Sequence, residues 1–162
     1  MKKLEKNVLE LLKSDARLTA KQVAVALGKT EAEVQSCIDY LESIGAIVKY
    51  TAIVNGEKTG DTLVEALIEV KVTPKSVEGF DGIAKQIATF PEVKGVYLMS
   101  GAYDLAVFIE DASLQKVARF VSERISTFDG VISTATHFIL KKYKLEGVYT
   151  EKDEDRRLSV QA

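Results

Sequence analysis

What this chain has little of narrows it first. Among its 162 residues there is one cysteine, Cys37, and one histidine, His137. A lone cysteine cannot close an intramolecular disulfide, and it fits a reducing, cytoplasmic setting. One cysteine and one histidine also supply too few ligands for a protein-only zinc site. No run reaches the roughly 18–20 apolar residues of a membrane span. The opening Met-Lys-Lys-Leu-Glu-Lys is charged, but no apolar h-region follows it, so no signal peptide is expected. Charge of one sign is missing too: 22 basic against 24 acidic side chains leave a net −2, with no overall pull toward DNA. What remains is a globular composition, 46% hydrophobic and 28% charged, long enough for one domain or two small ones.

The first third of the chain repeats on a helical period. Leu4, Val8, Leu11 and Leu12 fall at i, i+4, i+7 and i+8, one apolar stripe over residues 3–13. Ser14-Asp15-Ala16-Arg17 interrupts it. Thr19 stands three residues before Gln22, the spacing of a capping box, and predicts a short helix over 20–27 with Val23, Ala24 and Leu27 inward. Gly28 suits the left-handed residue that ends such a helix. Thr30 and Glu33 repeat the box ahead of Val34, Cys37, Ile38 and Leu41, a third helix that Gly45 closes. Three short helices, the last two split by a glycine-containing turn, form the helix-turn-helix pattern. Residues 46–54, rich in β-branched side chains, are expected to leave as a strand.

Residues 55–61, Asn-Gly-Glu-Lys-Thr-Gly-Asp, read as a polar boundary loop. Beyond them the period changes to two. Val64, Ala66, Ile68, Val70 and Val72 alternate with Glu65, Leu67, Glu69 and Lys71, a strand with one buried face that Pro74 and Lys75 end. Val77, Phe80, Ile83, Ala84, Ile87 and Ala88 return to helical spacing. Strands follow at 93–100 and from Leu105 through Val107 and Ile109, close enough to pair as a hairpin. Leu114, Val117, Val121, Ile125 and Phe128 mark another helix, and residues 131–143 a long last strand. The order β-α-β-β-α-β is the split, ferredoxin-like arrangement. Leu67, Tyr97, Met99, Phe108 and Phe138 put apolar groups on both sides of these strands, and a second copy of the chain is the simplest cover for the side the helices leave bare. The expectation is an α+β chain: a helix-turn-helix (winged-helix-like) domain with linker strand at 1–54, a ferredoxin-like sandwich domain at 62–144, and a polar tail at 145–162.

A helix-turn-helix followed by βαββαβ resembles the Lrp/AsnC, or feast/famine, regulators from about residue 3 to residue 144. Leu-Glu-Ser-Ile-Gly-Ala-Ile at 41–47 is similar to the end of the family's recognition helix and its turn, and Tyr-Thr-Ala-Ile-Val-Asn at 50–55 to its linker strand. Ser-Gly-Ala-Tyr-Asp-Leu at 100–105 matches its effector-domain signature. The resemblance implies a cytoplasmic transcription regulator of amino-acid metabolism. It implies dimers formed through the C-terminal sheets, further assembly into tetramers or octamers, and a free amino acid that changes the assembly or its grip on operator DNA.

On that reading the helix beginning at Thr30 enters the major groove and the one before it crosses the backbone. Glu31, Gln35, Ser36, Asp39 and Tyr40 take the outer face, with Lys21, Gln22 and Lys29 near phosphates. Family members commonly carry arginines around Ser36, Cys37, Asp39 and Tyr40, and this chain has none there. Eight basic against seven acidic side chains over residues 1–49 leave the head about +1, little for a DNA reader. The same helices also suit a dimer-supporting or protein-binding module.

For the effector, Asp104 can pair with an ammonium group and backbone N–H groups around Gly101 with a carboxylate. Ala102 and Tyr103 complete the loop, and Thr134 and Thr136 share one face of the last strand. The bland alternative is a tight hairpin turn, Gly for backbone freedom and Asp for local bonding. Cys37 reads as a small core residue and His137 as a surface or interface histidine. Tyr40 and Tyr50 either approach DNA or pack. No Ser-His-Asp set, phosphate loop or carboxylate pair suggests catalysis, and no cofactor is expected. Two other functions stay open: an amino-acid-binding regulatory protein with weak or no DNA binding, and a ferredoxin-like enzyme subunit.

Overall fold

The computed structural model describes residues 1–60, 62–73 and 79–150. Asp61, the Pro74-Lys75 strand end, Val77 and the tail from residue 151 lie outside them. The chain divides into two compact units, Met1–Ile53 and Val54–Ala162.

The first unit is a head of three helices, α1 (Lys3–Ser14), α2 (Ala20–Leu27) and α3 (Glu31–Ser43). Local chemistry fixes each start. The Glu5 carboxylate, itself buried, accepts the Lys2 backbone N–H at 2.6 Å. The Thr19 hydroxyl accepts from Gln22 N at 3.2 Å while Gln22 Oε1 takes the Thr19 N–H at 2.8 Å. Thr30 and Glu33 repeat that exchange at 3.3 and 2.9 Å. Gly28, at φ 62, supplies the left-handed turn between α2 and α3. The stripes then meet in one core of Val8, Leu12, Val23, Ala24, Val34, Cys37, Ile38 and Leu41.

The expected strand over 46–54 is not formed. This stretch carries no regular structure, and Val48 is 91% exposed. β-branched residues favour a pleated strand only when a neighbour completes the ladder, and no described residue of the chain does so. Within the polar 55–61 stretch, where a loop is expected, residues Gly56–Thr59 wind into one helical turn, α4, with Lys58 N–H donating to Asn55 O at 3.1 Å.

The second unit holds β1 (Val64–Val72), α5 (Asp81–Ala88), β2 (Val93–Leu98), β3 (Leu105–Asp111), α6 (Leu114–Glu123), a 3-10 turn (Ile125–Thr127) and β4 (Val131–Phe138). The sheet order is β2-β3-β1-β4, every neighbour antiparallel. That is the ferredoxin-like sandwich. On β1 the even residues Ala66, Ile68, Val70 and Val72 are buried against Ile83, Ile87, Val117, Phe120 and Val121 of the helices. The odd residues lie on the bare face, where Leu67 neighbours Phe108 and Tyr97 meets Phe108 edge-on at 5.7 Å. Phe138, opposite Ala66, belongs to the helix-facing side instead.

Two strand ends differ from expectation for one physical reason. β4 stops at Phe138 rather than 143 because its only partner among the described residues is β1, and the Ile139 N–H to Glu65 O bond, at 2.9 Å, lies just past their last paired residues. β2 stops at Leu98 rather than 100, and Met99 N–H closes the loop on Asp104 O at 2.8 Å. Part of the expected polar tail is folded: β5 (Lys144–Leu145) and β6 (Val148–Tyr149) form a small hairpin. Among the described residues no helix is long and apolar enough to cross a membrane.

Candidate functional site

Helix α3 is held by its inner face and presents its outer one. Val34, Cys37, Ile38 and Leu41 are buried, while Glu31, Gln35, Ser36, Asp39 and Tyr40 are exposed on the same helix. Exposed i,i+4 neighbours Gln35 and Asp39 pair, Gln35 Nε2 donating to Asp39 Oδ1 at 2.7 Å. Lys21 and Lys29 are exposed nearby in sequence, and Lys29 Nζ reaches Glu33 Oε1 at 3.8 Å. Two of the chosen polar residues are committed to capping: Gln22 gives its carboxamide oxygen to Thr19, and Thr30 exchanges bonds with Glu33. Those bonds from the Thr30 N–H and hydroxyl hold the Glu33 carboxyl below its ordinary range.

Sequence reasoning left Tyr50 between two roles, and the structure brings it to α3. Its hydroxyl donates to Glu42 Oε1 at 2.9 Å, and partial burial, followed by that bond, pushes the phenol up. The outer surface of α3 is thus polar and acidic, with Glu31, Asp39 and Glu42 and no arginine or lysine between residues 30 and 43. Such a surface can accept from cytosine amino groups, whereas the commoner guanine contact needs a cation.

The second set of residues gathers at one end of the sheet. Asp104 extends the ladder there: its N–H donates to Val70 O at 3.1 Å, and its Oδ2 accepts the Val72 N–H at 2.9 Å. Gly101 and Ala102 are exposed at the loop tip, and Tyr103 is half-buried. Among the described residues a side chain at Gly101 would meet nothing within 4 Å. Val70 is opposite Leu105 on one side and Thr134 on the other, which places Thr134 at the same sheet end as the loop. Thr134 Oγ1 lies 3.4 Å from Ser126 Oγ. Thr136 is one rung pair further in, opposite Ile68. The loop and Thr134 share an end of the sheet, with Thr136 further in.

Sequence reasoning missed the polar groups at the opposite sheet end. Glu65 and Glu110 are cross-strand neighbours, paired with Lys142 at 2.5 Å and Lys94 at 3.4 Å. Clefts of about 290 and 420 Å³ share Glu65, Glu110, Ile139 and Lys142. On the bare face His137 Nε2 sits 3.3 Å from Glu69 Oε1. The one signal was Lys142 as a possible counterion for Glu65 of β1; a separation of 77 residues hid the match.

The Lrp/AsnC ligand binding domain matches residues 65–149. The HTH-type transcriptional regulator YugG of Bacillus subtilis is 47% identical over 158 residues, 96% of this chain and 95% of its own. Among solved structures, B. subtilis LrpC matches with a TM-score of 0.65 at 26% identity, covering 89% of this chain and 97% of that one. Transcriptional regulator NMB0573 of Neisseria meningitidis, solved as a complex with L-Met, matches in fold with a TM-score of 0.71 at 20% identity, covering 90% and 93%.

Proposed function

This chain belongs to the Lrp/AsnC family of transcriptional regulators, and from that premise we propose that it works in the cytoplasm as a homo-oligomer whose hold on operator DNA responds to a free amino acid. It is a regulator with a ligand-binding domain, not an enzyme. In the proposal α3 enters the major groove, with Gln35, Ser36, Asp39 and Tyr40 toward bases and Lys21 and Lys29 toward phosphates. The observation that carries this is the exposed outer face of α3, rigidly presented by a capped start and a buried stripe. The N-terminal region folds as a compact unit of its own, which suits a DNA-reading domain at 1–54.

The effector reading places the amino acid at Gly101, Ala102, Tyr103 and Asp104 with help from Thr134 and Thr136. The carboxylate of Asp104 suits an ammonium group, and the exposed backbone at the loop tip suits a carboxylate. Because Asp104 already holds the Val72 N–H, the ligand shares that oxygen or takes the other. A second copy against Leu67, Tyr97 and Phe108 would cover the bare sheet face, and assembly through 62–144 follows from this.

The acidic α3 supports a weak, salt-sensitive grip for each head, with oligomerisation supplying the strength through effective concentration. Mobility shifts on the protein's own upstream DNA, titrated with salt, test the DNA claim; no shift even at low salt removes it. A thermal-shift screen against the common amino acids tests sensing. A ligand at 100 times its Kd adds about 2.7 kcal/mol, and the absence of any shift removes the effector claim.

A further inference from the structure

We propose that Asn55 is a positioning residue, pinned by the C-terminal hairpin, and that this latch carries the state of the effector loop to the segment that leads toward the head. The inference rests on the amino-acid-sensing reading above for its signal, but not for its geometry.

Asn55 Nδ2 donates to Thr150 O at 2.7 Å, a partly buried bond between residues 95 apart. Its backbone carbonyl starts α4 by accepting the Lys58 N–H. Thr150 is in turn fixed on the strand-to-hairpin connection, its N–H on Tyr143 O at 3.2 Å and its hydroxyl on Lys142 O. Lys142 reaches Glu65 at 2.5 Å, and Ile139 N–H bonds Glu65 O. One run of bonds therefore leads from the first residues of β1, through residues 139–142 and Thr150, to Asn55.

The other end of the same strand holds the effector loop. Asp104 bonds the backbone of Val70 and Val72. β1 is the central strand, paired along its length with both β3 and β4 and buried through Ala66, Ile68, Val70 and Val72. A strand held this way shifts as a unit rather than bending residue by residue. Residues 46–54 carry no regular structure, so without an anchor this segment would absorb any displacement of the sheet. The Asn55–Thr150 bond fixes the sheet-side end of that segment. Coupling of this kind is reciprocal: what loosens the segment must loosen the hairpin, and the reverse.

Hydrogen exchange on the full chain, followed by mass spectrometry, tests the latch. Asn55→Ala is expected to speed exchange of the Thr150 amide about fivefold, the loss of one such bond. Asn55→Asp, which turns a carboxylate toward the Thr150 carbonyl, is expected to speed it further. Thr150→Val, which frees the hydroxyl bond to Lys142, is expected to speed exchange of the Lys58 amide. Unchanged exchange at 143–150 in both Asn55 variants overturns the latch. For the signal, Asn55→Ala is expected to keep the wild-type thermal shift with the effector amino acid while losing at least half of its effect on DNA affinity. A full effect on DNA affinity overturns the signalling role, since a purely structural contact would leave it intact. If no amino acid shifts the wild-type melt, the sensing reading and the signalling role fall together, and the exchange results alone decide the latch.

Discussion

The helical head and the sheet unit reach order by different routes. The head has 8 buried core residues on three short helices, and each helix start is fixed by a bond between residues three apart. The sheet unit has a core of 13 among the described residues, and its central strand depends on partners 35 to 72 residues away. A small helical core gains from every cap, because short helices are marginal without packing and end satisfaction. A central strand gains mainly from burial on one face and a complete ladder on both edges. The lesson is that the surface proposed to read DNA rests on local chemistry, and the surface proposed to sense and assemble rests on long-range pairing.

Core truncations break the comparison most sharply. Ile68 and Leu41 are both fully buried, one in each unit. Ile68→Ala and Leu41→Ala are each expected to cost about 3 kcal/mol, and calorimetry should show each lowering its own transition and sparing the other. A common drop in both transitions would mean that the units unfold together. Next in size are the caps. Thr30→Ala is expected to remove about 1 kcal/mol from the head, read by chemical denaturation, while the sheet transition stays in place.

Acid should separate the units by a smaller effect. The Arg17 side chain, followed by its backbone N–H, holds the Asp15 carboxyl below its ordinary range, as Thr30 holds Glu33. A carboxyl whose folded value is depressed contributes stability that is full above its unfolded value, and that contribution is lost as pH falls through the folded one. The head should therefore loosen as pH drops below about 4.3, the ordinary glutamate value, and Glu33→Gln should flatten that response in far-ultraviolet dichroism. A variant as acid-sensitive as the wild type would deny the cap its role. Smallest is a labelling difference: burial, followed by the Glu5 charge, pushes the Cys37 thiol up, so alkylation at neutral pH should be slower in the native head than after unfolding. Equal rates would place Cys37 outside the core.

The same contrast explains what could be read in advance. Capping boxes at Thr19 and Thr30, Gly28 and the apolar stripes lie within a few residues of their partners, so the head was legible almost to the residue. Alternation along Val64, Ala66, Ile68, Val70 and Val72 disclosed β1 and its buried face, and the short turn before Leu105 disclosed the hairpin. Propensity misled at 46–54, where the β-branched residues find no strand partner among the described residues. Strand β4 ran short of its apolar pattern because β1 ended first. The hairpin at 144–149 and the Asn55–Thr150 bond left no local pattern, since each depends on where distant residues come to rest. The exposed face of α3 was placed by periodicity alone, but the bond that commits Asp104 to Val72 was not, since backbone amides of another strand leave no mark in sequence.

The division of labour between the two units can be tested in one titration. Fluorescence anisotropy of upstream DNA, with and without the stabilising amino acid, would compare the wild type with Gln35→Ala/Ser36→Ala on α3 and with Asp104→Ala at the loop. The account predicts that the α3 variant loses DNA affinity but keeps the fold-change caused by the amino acid, and that the loop variant keeps basal affinity and loses the fold-change. An α3 variant that binds DNA like the wild type, or a loop variant that still responds in full, would contradict it.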